Sequence, residues 1–126
     1  MIDAKFYYCE HCGNMMQGIF VGGAPVMCCG RKMILLQPGT VDASHEKHIP
    51  VVEVKNGLVA VEVGEVAHPM TDEHSILWVY LQTDRGGHMK HLQAGEAPEA
   101  VFALHNEKPI AAFAYCNLHG LWKTDL

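Results

Sequence analysis

The chain has 126 residues, enough for one ordinary domain or for one domain with a small appendage. Hydrophobic residues make up 49% of it, so a packed core is within reach and wholesale disorder is excluded. The formal net charge is -5 and the Lys and Arg residues are scattered, which argues against a nucleic-acid partner because phosphate binding needs a clustered basic face.

Apolar runs such as residues 76–81 fall far short of a membrane span, and no charged-then-apolar leader precedes the first cysteine. The chain therefore reads as cytoplasmic, without a membrane partner. The surplus is of another kind. Nine His, five Cys and seven Met in so short a chain point to coordination chemistry.

Residues 1–36 show little more than two short strand-like pieces around a cysteine cluster. Cys9 and Cys12 form a C-x-x-C pair closed by Gly13, and fifteen residues later comes the adjacent pair Cys28-Cys29, followed by Gly30. A knuckle of this kind aims two thiolates at one metal, and its glycine lets backbone N–H groups turn toward the sulfurs. Neighbouring side chains in a strand point to opposite faces, so Cys28 and Cys29 need a tight bend to share one ligand. Four thiolates make a closed tetrahedral site suited to iron or zinc, and spacing does not choose between them. The alternative of buried thiols with a redox pair at Cys9 and Cys12 lacks the βαβ setting that such a pair expects. So short a stretch buries too little to fold alone, and a metal would supply the missing stability.

Gln37-Pro38-Gly39-Thr40 reads as a linker. Strands are then expected at 51–55 and 58–63 around Asn56-Gly57, the strongest hairpin signal present. Further strands are expected at 74–83, 88–92, 99–104 and 110–115, with a last short one beginning at Trp122. About seven short antiparallel strands without an amphipathic helix predict an immunoglobulin-like sandwich. The fold class is thus all-β, divided into a metal-knuckle domain at 1–36 and a sandwich domain at 37–126.

A second constellation lies at loops and strand ends, where a sandwich gathers its functional groups. Cys116 and His119 flank a turn closed by Gly120, His68 precedes Pro69, His74 opens the long strand, and His48 sits in Glu46-Lys47-His48-Ile49-Pro50. A surface or locally satisfied role suits any single histidine, and it is assigned to His11, His45, His88, His91 and His105. His88 and His91 share a strand with Lys90 and read as a solvated face.

The sequence resembles the desulfoferrodoxin family of two-iron superoxide reductases over nearly its whole length. The resemblance rests on Cys9-Glu10-His11-Cys12-Gly13 with Cys28-Cys29-Gly30, similar to a desulforedoxin module. In the neelaredoxin-like remainder it rests on Glu46-Lys47-His48-Ile49-Pro50-Val51, Val66-Ala67-His68-Pro69-Met70 with His74, Ala97-Pro98-Glu99-Ala100 and Tyr115-Cys116-Asn117-Leu118-His119-Gly120.

The resemblance implies two irons per chain, one held by Cys9, Cys12, Cys28 and Cys29. The other, catalytic and non-haem, is ringed by His48, His68, His74 and His119, with Cys116 on one axial side and the opposite position open. It further implies that Glu46 closes that position in the oxidised state, and that the chain detoxifies superoxide under oxidative stress. A rubredoxin-like electron donor and a homodimer are the family expectation for partners.

Neutral imidazoles and one thiolate leave a ferrous site with a charge of about +1. Such a site attracts superoxide, and Lys47 should add to the pull. One electron and two protons then complete hydrogen peroxide. A thiolate opposite the substrate pushes electron density toward the metal. The four-cysteine iron, involved in structure or in electron transport, is not needed for this chemistry. Rival readings are a pure electron carrier, a zinc-stabilised binding module and a superoxide dismutase.

Overall fold

The computed structural model of the protein describes residues 3–126; the first two residues of the expected N-terminal domain lie outside the described residues. The chain divides into two compact units that part between Gln37 and Pro38.

The first unit carries five short strands: β1 (Lys5–Tyr8), β2 (Met15–Gly18), β3 (Met27–Cys28), β4 (Arg31–Lys32) and β5 (Ile34–Leu35). They form a sheet in the order β2-β1-β5 and a separate β3-β4 hairpin. Two strand-like pieces were expected, and the difference has a plain cause. Strands of two to four residues contain no run of alternation long enough to read. The buried cluster is small, with Tyr7, Cys9 and Met33 packed against Val26, Cys28 and Leu35. A core of that size is marginal without a metal to close it.

The second unit opens with one helical turn, α1 (His45–His48), and continues through β6 (Pro50–Lys55), β7 (Leu58–Val63), β8 (Ile76–Thr83), β9 (Gly86–His91), β10 (Glu99–Ala103), β11 (Pro109–Cys116) and β12 (Gly120–Asp125). A three-stranded sheet, β10-β7-β6, faces a four-stranded one, β12-β11-β8-β9, and every pairing is antiparallel. Val59, Val61, Val63 and Phe102 from one sheet bury themselves with Val79 and Leu81 from the other in a single cluster. Alternation sends the residues between them outward: Ala60 is half-buried and Glu62 exposed. The hairpin expected at Asn56-Gly57 is present, both residues having positive φ as a two-residue turn of this hand requires.

The α1 turn was not foreseen, because four residues carry no helical period; Pro50 directly after Ile49 ends it. The long strand starts at Ile76 instead of residue 74, which leaves His74 in the loop before it. The last strand starts at Gly120, earlier than expected, because Cys116 pairs directly with Gly120.

Registers bring Pro50 beside Val63, and Cys116 beside both Ile76 and Gly120. One end of the sandwich therefore gathers α1, the β7–β8 connection and the β11–β12 turn. Those three segments hold every residue of the second expected constellation.

Candidate metal centres

In the first unit, Gly13 N–H donates to the Cys9 carbonyl at 2.9 Å and Cys9 N–H donates to Asn14 at 2.9 Å, closing the knuckle. Gly13 has φ +83, which an L side chain adopts at a cost. On the other side, Cys29 (φ 52) and Gly30 (φ 72) form the two-residue turn of the β3–β4 hairpin. That left-handed turn allows adjacent cysteines to face one point. The ligand sulfurs of Cys9, Cys12, Cys28 and Cys29 all lie within 4.8 Å of one another, with Cys12 to Cys28 at 3.6 Å and Cys28 to Cys29 at 4.0 Å. Four sulfurs each about 2.3 Å from a tetrahedral metal would stand about 3.8 Å apart.

The proton balance agrees with that geometry. A backbone N–H at Cys12 pulls the Cys9 thiol down to about 6, while the neighbouring Cys12 side chain pushes Cys29 up to about 12. Without a cation the cluster keeps some of its protons; a divalent or trivalent metal replaces them and holds four thiolates together. Asn14 Nδ2 donates to Cys28 Sγ at 3.5 Å, and all the cysteines are free of disulfides.

The second cluster is built from three segments. His48, at the last position of α1, and His68, in the β7–β8 connection, are 2% and 3% exposed. The ring contacts run around a closed circuit: His48 to His68 at 4.6 Å, His68 to His74 at 4.7 Å, His74 to His119 at 5.1 Å and His119 to His48 at 4.9 Å. His48 and His74 stand 6.4 Å apart, close to the diagonal of a square with those sides. Four imidazoles thus surround one point. Cys116, fully buried, has its sulfur 3.8 Å from His119 Nδ1 and within 4.8 Å of the ligand atoms of His48, His68 and His74.

Hydrogen bonds determine which ring nitrogen carries the proton. His48 Nδ1 donates to the Ser44 carbonyl at 2.6 Å, and His68 Nδ1 donates to the Pro69 carbonyl at 2.7 Å. In the neutral rings this leaves a lone pair on each Nε2, and those two atoms lie 3.1 Å apart. His119 Nδ1 sits 3.1 Å from His48 Nε2, and the buried His74 Nε2 has no hydrogen-bond partner. Lone pairs converging at buried atoms repel unless a cation lies between them.

A proton is a poor candidate for that cation. Burial pushes His68 down to about 4 and lowers His48 and His74 as well. The donor set of imidazoles with one thiolate fits a borderline transition metal such as iron. Burial also raises the Cys116 thiol, while the backbone N–H groups of Leu118 and His119 work against that rise.

A profile of the desulfoferrodoxin family matches residues 40–125. Desulfoferrodoxin of Nitratidesulfovibrio vulgaris is 44% identical over 121 residues, 96% of this chain and 95% of that protein. The chain belongs to the desulfoferrodoxin family. A desulfoferrodoxin homologue of Archaeoglobus fulgidus is 41% identical over 120 residues, covering 95% of each chain. Among solved structures, the superoxide reductase of Treponema pallidum superposes with a TM-score of 0.83 at 41% identity, covering 98% of this chain and 100% of that one. The four-cysteine and the four-histidine, one-cysteine clusters match the two iron centres of a desulfoferrodoxin.

Of the other residues singled out in the sequence, Lys47 is half-buried and its charge bears on both His48 and His74. Glu46 is exposed, and its carbonyl accepts from Val66 N–H at 3.0 Å. His88 stays outside both clusters, half-exposed with its Nε2 3.1 Å from the Glu107 carboxylate.

Sequence reasoning missed three supports of the second centre. Trp122 stacks on His48 at 5.0 Å and donates from Nε1 to the His119 carbonyl at 3.0 Å. The Ser44 and Pro69 carbonyls orient two rings. Asn117 bonds to the residues on either side of His74. Main-chain carbonyls have no sequence signature, but Trp122 and Asn117 both stand within a few residues of His119 and were open to the question.

Proposed function

We propose that this chain is a superoxide reductase, an oxidoreductase that gives superoxide one electron and two protons and releases hydrogen peroxide without forming oxygen. The observation that carries the reading is the circuit of four imidazoles closed over a buried sulfur, with two deprotonated Nε2 atoms 3.1 Å apart. His48, His68, His74, His119 and Cys116 hold the catalytic iron; Cys9, Cys12, Cys28 and Cys29 hold the other. Iron bound in the ferrous state supplies the electron.

The chain's own residues do the rest. The Ser44 and Pro69 carbonyls fix the tautomer of two rings and aim them, while burial keeps those rings neutral. The N–H groups of Leu118 and His119 stabilise the Cys116 thiolate against the penalty of burial. Lys47, whose charge bears on His48 and His74, draws the anion toward the cluster, and Glu46, exposed on the same turn, would supply a carboxylate for the oxidised resting state. Relatives support the reading: a superoxide reductase of Pyrococcus horikoshii is 35% identical over 103 residues, 68% of this chain and 90% of that protein.

The first unit, near residues 1–36, keeps its iron for structure and as a way in for electrons, while residues 37–126 perform the reduction. A small one-electron carrier of the rubredoxin type is the donor. The exposed run Ile19, Phe20 and Val21 supports a homodimer through the first unit, which monomeric sedimentation at micromolar concentration would refute. Among the described residues no helix is long and apolar enough to cross a membrane. The free cysteines support a reducing, cytoplasmic setting, where removal of superoxide protects the cell.

The experiment is rapid mixing of the anaerobic, reduced protein with superoxide after a metal count. Two irons per chain and one peroxide per superoxide consumed, with no oxygen, are expected. Oxygen evolution would make it a dismutase, reaction without peroxide an electron carrier, and zinc at both sites a binding module.

A further inference from the structure

We infer that Asn117 is a positioning residue of the catalytic centre, clamping the His74 segment to the loop that carries Cys116 and His119. The inference rests on the ligand reading proposed above. Asn117 Oδ1 accepts from Ser75 N–H at 3.0 Å, its Nδ2 donates to the Glu73 carbonyl at 2.9 Å, and its backbone N–H donates to the Ser75 carbonyl at 3.2 Å. These three bonds reach across more than forty residues of chain and land on both neighbours of His74.

His74 needs such a tie more than the other histidines. His48 and His68 each anchor their ring through Nδ1 to a carbonyl of their own segment. The His74 backbone bonds to Thr71, which fixes the bend of its own loop but does not register that loop against Cys116. The regular ladder cannot do it either, because the pairing of β8 with β11 slips between Tyr115 and Cys116. Regular register ends where the ligands begin, and the Asn117 side chain supplies the bonds that continue it.

The side chain must offer one acceptor and one donor at the end of a short stem, which is the pattern of an Asn amide. Asp keeps the acceptor for Ser75 and sets a second oxygen against the Glu73 carbonyl. Ala removes both bonds while leaving the backbone N–H bond to Ser75 intact.

The test is competitive Fe(II) titration of the full chain against a chelator of known affinity, with the melting temperature of the metal-free protein measured in parallel. Partners that orient ligands typically contribute about 10- to 100-fold in affinity, so Asn117→Ala should weaken the catalytic centre by that factor. It should also shift the sulfur-to-iron absorption, leave the four-cysteine centre loaded and leave the metal-free melting temperature within about 2 °C of the parent. Affinity within about twofold of the parent would overturn the clamp, as would an equal loss at both centres, which marks a general folding defect.

If the alanine variant does not fold, Asn117→Asp is judged by the same criteria. His74→Ala separates the two readings. If it weakens iron binding and the Asn117 variants do not, the clamp alone falls; if it leaves iron binding untouched, the ligand reading falls and takes the clamp with it.

Discussion

Two opposed influences meet at the His68 ring. Burial removes the water that would solvate an imidazolium and pushes the group down to about 4, while the bond from Nδ1 to the Pro69 carbonyl pulls the other way and loses. In the unfolded chain the same ring titrates near its ordinary 6.5. Between those values the unfolded state binds the extra proton, so falling pH favours unfolding and rising pH favours the fold. His48 and His74 are lowered for the same first reason and act in the same direction. The metal-free second unit should therefore lose stability as pH falls from about 6.5 toward 4, with His68 alone contributing about 3 kcal/mol at the bottom of the window. Urea midpoints measured at several pH values check this, and a flat profile would show that the rings are better solvated than their burial implies. Iron steepens the slope further, since protons compete with the metal for the same lone pairs.

At the scale of elements, the ligand-bearing turns are stacked on one another. Gly64, in the turn after β7, has φ +81, and a Cβ there would run into the Glu46 carbonyl and come within 2.5 and 2.6 Å of the Lys47 carbonyl carbon and Cα. Val66 N–H then donates to the Glu46 carbonyl at 3.0 Å, so the turn that leads to His68 forms the floor beneath the turn that ends in His48. Gly64→Ala must both leave the favoured backbone region and push α1 aside, at about 1–3 kcal/mol. Urea unfolding should show the loss in the second unit while the first keeps its metal; a change under about 0.5 kcal/mol would mean that the floor yields freely. Such a contact is invisible in the sequence, because a glycine between Val63 and Glu65 reads only as punctuation after a strand. The strands themselves were legible from β-branched runs and Asn56-Gly57, and the nine residues of the two His and Cys clusters were singled out from the knuckle spacing and the family motifs. What escaped were features set by tertiary approach: the single helical turn at α1, the strands of two residues around Cys28, and the Asn117 and Trp122 contacts, whose partners lie far along the chain or on the main chain.

For the molecule as a whole, the difficulty is that its formal charge of -5 has the same sign as the substrate. A long-range field of that sign slows an approaching anion, so the centre needs a local reversal close to where the anion arrives. Lys47 is the proposed source: its charge bears on the rings of both His48 and His74, on the segment that begins at the surface with His45 and Glu46. The reversal works only at short range, since charges separated by more than about 8 Å are largely screened at physiological salt. Within that distance, one unit charge about 5 Å from the incoming anion is worth about 1–3 kcal/mol, and 1.4 kcal/mol is a factor of ten in rate. Lys47→Ala should therefore slow the second-order reaction with superoxide about tenfold at low salt and flatten its dependence on ionic strength, with the iron spectrum unchanged. Lys47→Arg, which keeps the charge, should restore most of the rate. Rapid-mixing or pulse-radiolysis rates across a salt series measure all three proteins. Equal low-salt rates for Lys47→Ala and the parent would assign the attraction to the iron centre itself and leave Lys47 without a steering role.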